Sequence, residues 1–387
     1  MKYPLASSSW GQEEIAAIHK VIDSDRYTMG ALVERYEADF AAYFGSKYAV
    51  MTSSGSTANL LMTAATFFTK TPLLQRGDEV IVPAVSWSTT YFPLQQYGLK
   101  VKFVDIDINT LNFDLEKLEN AITDNTKAIL SVNLLGNPND YSEINRLIRN
   151  KGILLLEDNC ESMGAVFNGK KTGTFGLMGT YSSFFSHHMS TMEGGCVVTD
   201  DEEIYHILLA LRAHGWTRNL PKKNKITGTK SDNTFDESFK FVLPGYNVRP
   251  LEMSGAIGIE QLKKLPNFIE NRRSNASHFL NTFQDHPWIK IQKEVGSSSW
   301  FGFSLVLSNN APLSRNELVQ ILETNKIESR PIVTGNFLKN TEVLRYFDYE
   351  VSGNLENADW IDRNGLFVGN HHFDIVDKID YLKKLVI

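Results

Sequence analysis

Short apolar runs recur through the first half of this 387-residue chain, at 48–51, 79–82, 101–104, 128–132 and 153–156, with helix-patterned stretches between them. Strands and helices in alternation require a mostly parallel sheet covered on both faces, an α/β fold. Ligands of such sheets gather at the carboxyl ends of the strands. The residues that follow each apolar run are therefore where chemistry is to be sought.

Three chemically suggestive groups stand near such ends. The first run leads into Thr52-Ser53-Ser54-Gly55-Ser56-Thr57 and then a helical pattern over 58–68. Glycine permits close approach of an anion, and the first amides of a helix face it. Helix capping by a hydroxyl explains the same residues without any ligand. The second run ends in Val82-Pro83-Ala84-Val85-Ser86-Trp87. An aromatic there can stack on a flat heteroaromatic ring, worth about 0.5–1.5 kcal/mol, although a lone tryptophan more commonly fills a core. The fifth run continues into Glu157-Asp158-Asn159-Cys160-Glu161. A buried strand here delivers carboxylates to a site. Asp158 is the candidate, and Glu157 is expected to be a solvated loop carboxylate.

The stretch 181–200, YSSFFSHHMSTMEGGCVVTD, carries two adjacent histidines, and Glu193-Gly194-Gly195 begins six residues after His187. It resembles the active-site segment of the DegT/DnrJ/EryC1/StrS sugar-nucleotide aminotransferases, S-F-x-x-x-K-x-x-x-x-x-E-G-G. In that pattern the lysine binds pyridoxal phosphate covalently. Counting back from Glu193 puts Ser182 on the serine and His187 on the lysine; Ser183 replaces the phenylalanine. A register one residue on would put His188 there instead. No lysine occurs between Thr172 and Pro221. An imidazole cannot hold the aldehyde, but it can move a proton near neutral pH.

The resemblance runs over about residues 3–385 and implies an aspartate-aminotransferase-like (fold-type I) enzyme using pyridoxal 5′-phosphate and pyridoxamine 5′-phosphate. It implies two units, a cofactor-binding domain over 1–263 and a small C-terminal α+β domain over 264–387. Backbone amides of Ser56 and Thr57 and the Ser182 hydroxyl are implied to hold the cofactor phosphate. Trp87 is implied to stack on its ring, Asp158 to hold its ring nitrogen, and Glu161 to lie near the ring hydroxyl. Asn247, in Gly245-Tyr246-Asn247-Val248-Arg249, is implied to reach a partner's cofactor phosphate across a homodimer interface. Arg218 and Arg330 match segments near the substrate; for Arg330 a structural ion pair is an equal alternative. Relatives with histidine in place of the lysine are sugar 3-dehydratases. The implied reaction therefore removes the C3 hydroxyl of a GDP-linked 4-keto-6-deoxy sugar, with L-glutamate as amino donor. Three other readings stand beside it: a CDP-sugar 3-dehydrase, which shares the histidine but carries a cysteine-ligated iron–sulfur cluster, an aminotransferase with a lysine from elsewhere in the fold, and a non-catalytic sugar-nucleotide-binding homologue.

Composition narrows the field. A net charge of −6 argues against an electrostatic nucleic-acid binder. Two cysteines, Cys160 and Cys196, supply neither a disulfide framework nor a four-thiolate cluster. No apolar run reaches the roughly 18 residues that span a bilayer. The opening MKYPLASSSW lacks the regions of a secretory signal, so a cytoplasmic enzyme is expected. The lysine-rich 219–238 reads as a long surface loop, His371-His372 as a surface loop, and 266–283 as a long helix separate from one over 251–262.

Overall fold

The computed structural model describes residues 1–386. One sheet contains β1 (Tyr48–Thr52), β2 (Glu79–Pro83), β3 (Lys100–Val104), β4 (Thr126–Val132), β5 (Leu154–Asp158), β6 (Met178–Ser182), β7 (Gly195–Thr199) and β8 (Tyr349–Val351). Their spatial order is β1-β7-β6-β5-β4-β2-β3-β8. β7 runs antiparallel to both neighbours, and every other pairing is parallel. The two-residue side-chain period sorts the apolar runs between two cores. Val80 and Val82 pack with helices Gly55–Ala65 and Glu202–Leu211, while Ile81 faces helix Tyr141–Ile148 on the other side.

The C-terminal region builds a second, antiparallel sheet from Ile289–Lys290, Gly302–Leu307, Gly365–Gly369 and Ser329–Arg330, in that order. Helices Arg315–Thr324 and Val376–Leu385 cover it. The division expected at 263/264 falls inside one continuous 32-residue helix, Glu252–Phe283. Pro266 does not break it, because Leu265, Phe268 and Ile269 are all buried along that turn. Two segments cross the division: Tyr3 packs in the C-terminal core, and β8 completes the large sheet. Ile387, the end of the expected second unit, lies outside the described residues.

Three local expectations are corrected. Residues 219–238 include a short hairpin, Lys223–Asn224 with Gly228–Thr229, and a helix, Thr234–Ser238. His371 is buried, its ring bonded to Ser7 and to the Pro4 carbonyl. Glu157 is fully buried and accepts the amides of Gly173, Phe175 and Gly176 at 2.6, 2.5 and 2.7 Å. It points to the opposite side from Asp158, as neighbours in a strand must. Glu157→Leu should leave three donors without acceptors, at about 1–3 kcal/mol for each. Urea unfolding should show a clear drop in midpoint, and an unchanged midpoint would refute this role.

Candidate active site

The carboxyl ends of β1, β2, β4, β5 and β6 converge on a cavity of about 430 Å³, closed from above by residues of the C-terminal region. Seven of the ten residues singled out from the sequence line it: Ser56, Trp87, Asp158, Glu161, Ser182, His187 and Arg330.

Asp158 ends β5 and is 3% exposed. Its Oδ2 accepts from Asn59 Nδ2 and Thr90 Oγ1, both at 2.8 Å, and its Oδ1 accepts the Cys160 amide at 3.1 Å. Thr180 on β6 donates to Asn59 Oδ1 at 2.6 Å, which fixes the amide's NH₂ toward the carboxylate. Trp87 caps the helix Ser88–Gln96 and holds its ring 57% exposed at the cavity wall. Glu161 accepts the Leu135 amide at 2.9 Å. Burial pushes Glu161 up to about 7; the Leu135 amide opposes that shift and Asp158 adds to it.

At the other end Gly55 opens the helix Gly55–Ala65 beside Ser56 and Ser182. A Cβ on Gly55 would come within 2.7 Å of Ser182 Cβ and 2.9 Å of Cys160 Sγ, so only glycine leaves this corner open. Thr57 is not part of the wall. Its amide donates to Ser54 Oγ at 3.1 Å and its hydroxyl accepts the Ser54 amide at 3.0 Å, so it serves as a helix cap.

His187 and His188 separate cleanly. His187 lines the cavity, edge-on to Phe301 with ring centres 5.1 Å apart. Its Nδ1 is buried without a partner, which leaves Nε2 as the nitrogen open to the cavity. His188 turns away and its Nε2 meets the Ser299 carbonyl at 3.0 Å. Burial pushes His187 down to about 4, with the Arg272 guanidinium adding to the shift, so the imidazole is neutral at physiological pH.

Asn247 and Arg218 are not brought to this cavity. Asn247 is exposed and accepts from Arg249 Nε at 3.0 Å. Arg218 lies over Trp216, 4.2 Å from the ring centre, on a surface that also exposes Phe239 and Phe241. Sequence reading missed Asn59, Thr90, Glu193 and Phe301. Glu193 had a signal in the Glu-Gly-Gly motif itself, and the other three had none.

The carboxylate, the flat exposed ring and the hydroxyl-lined helix start form a set that fits pyridoxal phosphate: ring nitrogen, ring face and phosphate. Among the described residues lining the cavity there is no lysine. The model of the DegT/DnrJ/EryC1/StrS aminotransferase family matches residues 8–374, and the chain belongs to this family, with its fold-type I architecture. It is 68% identical over 386 residues to GDP-4-keto-6-deoxy-D-mannose 3-dehydratase of Escherichia coli O55:H7, covering 100% of both chains. Solved structures of GDP-4-keto-6-deoxymannose-3-dehydratase, 68% identical and covering both chains fully, superpose with a TM-score of 0.99. One holds a trapped PLP-glutamate geminal diamine; another has a histidine replaced by asparagine and GDP-perosamine bound.

The raised Glu161 gives a pH signature. Its folded value of about 7 exceeds the ordinary 4.5, so its contribution to stability is full below 4.5 and is lost as pH rises through 7. Glu161→Gln should therefore gain Tm relative to the parent protein between pH 4.5 and 8, measured without cofactor. A Tm difference that stays flat with pH contradicts the assignment.

Proposed function

We propose that this chain is a pyridoxal-phosphate-family sugar-nucleotide 3-dehydratase acting on GDP-4-keto-6-deoxymannose, with L-glutamate as amino donor, in cytoplasmic deoxysugar (colitose, O-antigen) synthesis. The observation that carries the reading is the lysine-free cavity in which a neutral histidine stands with Asp158 and Trp87. The 68% identity to an enzyme of that activity supports it over the whole chain.

When bound, pyridoxamine phosphate would supply the amine that engages the C4 ketone and a ring that stabilises the charge left where its C4′ carbon gives up a proton. The protein does the rest. Asp158, held from three sides, keeps a proton on the ring nitrogen. Ser56, Ser182 and the amides at the start of the helix Gly55–Ala65 hold the phosphate. Trp87 would take the ring face, and Glu161 would meet the ring hydroxyl. His187 Nε2 accepts a proton in the glutamate half and again as the sugar's C3 hydroxyl departs. Arg330 holds the sugar nucleotide through its guanidinium. The products are 2-oxoglutarate, ammonia and a 4-keto-3,6-dideoxy sugar nucleotide, the glutamate supplying the two electrons that the loss of the C3 hydroxyl requires.

A positioned general base contributes about 10²–10⁴-fold. His187→Asn should slow glutamate-dependent ammonia release by a factor in that range, while His188→Asn keeps the cavity wall and most of the rate. Loss with His188→Asn and none with His187→Asn would move the base to the neighbour.

The same reading includes a homodimer with shared sites. Ile15, Ile22 and Tyr27 are exposed near the N-terminus, and Phe184, Phe185 and Met192 around the site, an apolar surface suited to a second copy. Asn247, which does not line its own cavity, would serve the partner's phosphate. Mixing Asn247→Ala with His187→Asn should then restore activity in the mixed dimers, because some sites carry neither defect. Mixed dimers without activity would rule out sharing.

A further inference from the structure

Behind His187 lies a buried arginine with no acidic partner. Arg272, on the helix Glu252–Phe283, is 5% exposed, and among the described residues no carboxylate lies within salt-bridge distance of it. Its Nη1 instead gathers three carbonyls: Asn370 at 2.8 Å, Phe301 at 3.2 Å and Trp300 at 3.4 Å. A buried guanidinium left without a carboxylate is costly, so its position needs a reason.

Two of these carbonyls, Trp300 and Phe301, belong to the turn 299–301, in which Trp300 is left-handed at φ 48°. A bulky residue held there stores strain that the surroundings must sustain. Asn370 braces the same turn, its Nδ2 donating to the Trp300 carbonyl at 2.9 Å. From this turn contacts run to both titrating groups of the cavity. Phe301 packs its ring against His187, and the Ser299 carbonyl meets His188. The Phe301 amide donates to the Leu135 carbonyl at 2.9 Å, and the Leu135 amide donates to Glu161.

We infer that Arg272 is the positioning residue of the proton carrier: it locks the turn 299–301, and through the Phe301 ring it seats the His187 imidazole toward the cavity. This rests on the reading of His187 as the base. The buried charge has a second effect, since it opposes protonation of the neighbouring imidazoles, His187 and His188, and of His371 and His372 nearby. Among the described residues lining the cavity, the other ionisable groups are Asp158, Cys160, Glu161 and Glu193 on the sheet side and Arg330 across it.

The test uses the full-length enzyme with Arg272→Lys and Arg272→Met, and two readouts. One is kcat and KM for the GDP-sugar; the other is the titration of His187 by NMR of ring-labelled histidine, assigned with His187→Asn. Lysine keeps the charge but loses the planar fork. Because a misplacement of about 1 Å can cost roughly 10²-fold, kcat should fall about 10- to 100-fold in both variants, with KM changed less than about threefold. His187 should stay neutral down to about pH 4 in the parent protein, and its midpoint should rise toward 6.5 in Arg272→Met without reaching it, because burial remains. An unchanged kcat in Arg272→Lys, or an unchanged His187 midpoint in a folded Arg272→Met, overturns the inference. If neither variant folds, Phe301→Leu decides: kcat equal to the parent's overturns it, and a fall of tenfold or more with KM held supports it. Full activity in His187→Asn would instead sink the underlying reading, whatever Arg272 does.

Discussion

A carboxylate buried at the end of a central parallel strand has to be held from several sides, and the sheet register is what brings the holders to Asp158. Asp158 pairs with Val132 of β4 and Thr180 of β6. Thr180 orients Asn59, and Asn59 and Thr90 come from helices that follow β1 and β2. Three separate strand–helix units thus converge on one side chain. A slip of one residue in β5 would turn Glu157 toward the cavity and Asp158 toward the loop at 173–176. Two adjacent acids with opposite tasks make that register expensive to change.

The same pair shows what a sequence can and cannot tell. The apolar run before Glu157-Asp158 announced a buried strand, and its end announced a site. Which carboxylate faced which side depended on a loop some sixteen to nineteen residues later, whose three amides cover Glu157. His371 was illegible for a similar reason: its partners, Pro4 and Ser7, lie at the opposite end of the chain. Pro266 suggested a break because a proline in a helix interior costs about 3 kcal/mol. Burial of Leu265, Phe268 and Ile269 outweighs that cost, and neighbours in the fold, not the local sequence, decide it.

Thr57, Asn247 and Arg218 mark a different limit. Thr57 belongs to a hydroxyl-rich helix start whose pattern serves equally as cap and as anion site; Ser54 and Thr57 form the cap, and Gly55 and Ser56 face the cavity. Asn247 and Arg218 sit among exposed aromatics and arginines on a face that a single chain leaves open. In the proposed homodimer, a motif that serves a second copy leaves no geometric signature within one cavity.

Replacing a lysine by a histidine changes how the rest of the cavity must work. On the proposed reading the cofactor has no covalent tether and depends on Asp158, Trp87 and the hydroxyl-lined corner, where Gly55 leaves no room for a side chain. A histidine proposed as the base must also remain unprotonated between turnovers. Burial acts on both titrating groups in the same sense, favouring the neutral form: the imidazole of His187 falls to about 4 and the carboxyl of Glu161 rises to about 7. Between those values the resting cavity carries its proton on Glu161 and leaves His187 empty. A lysine in the same surroundings would be a stronger base that also captures the aldehyde; the histidine keeps proton transfer and gives up capture. On the proposed reading, loss of the tether and retention of a base are two outcomes of one substitution, and the buried pocket behind the imidazole makes the second compatible with neutral pH.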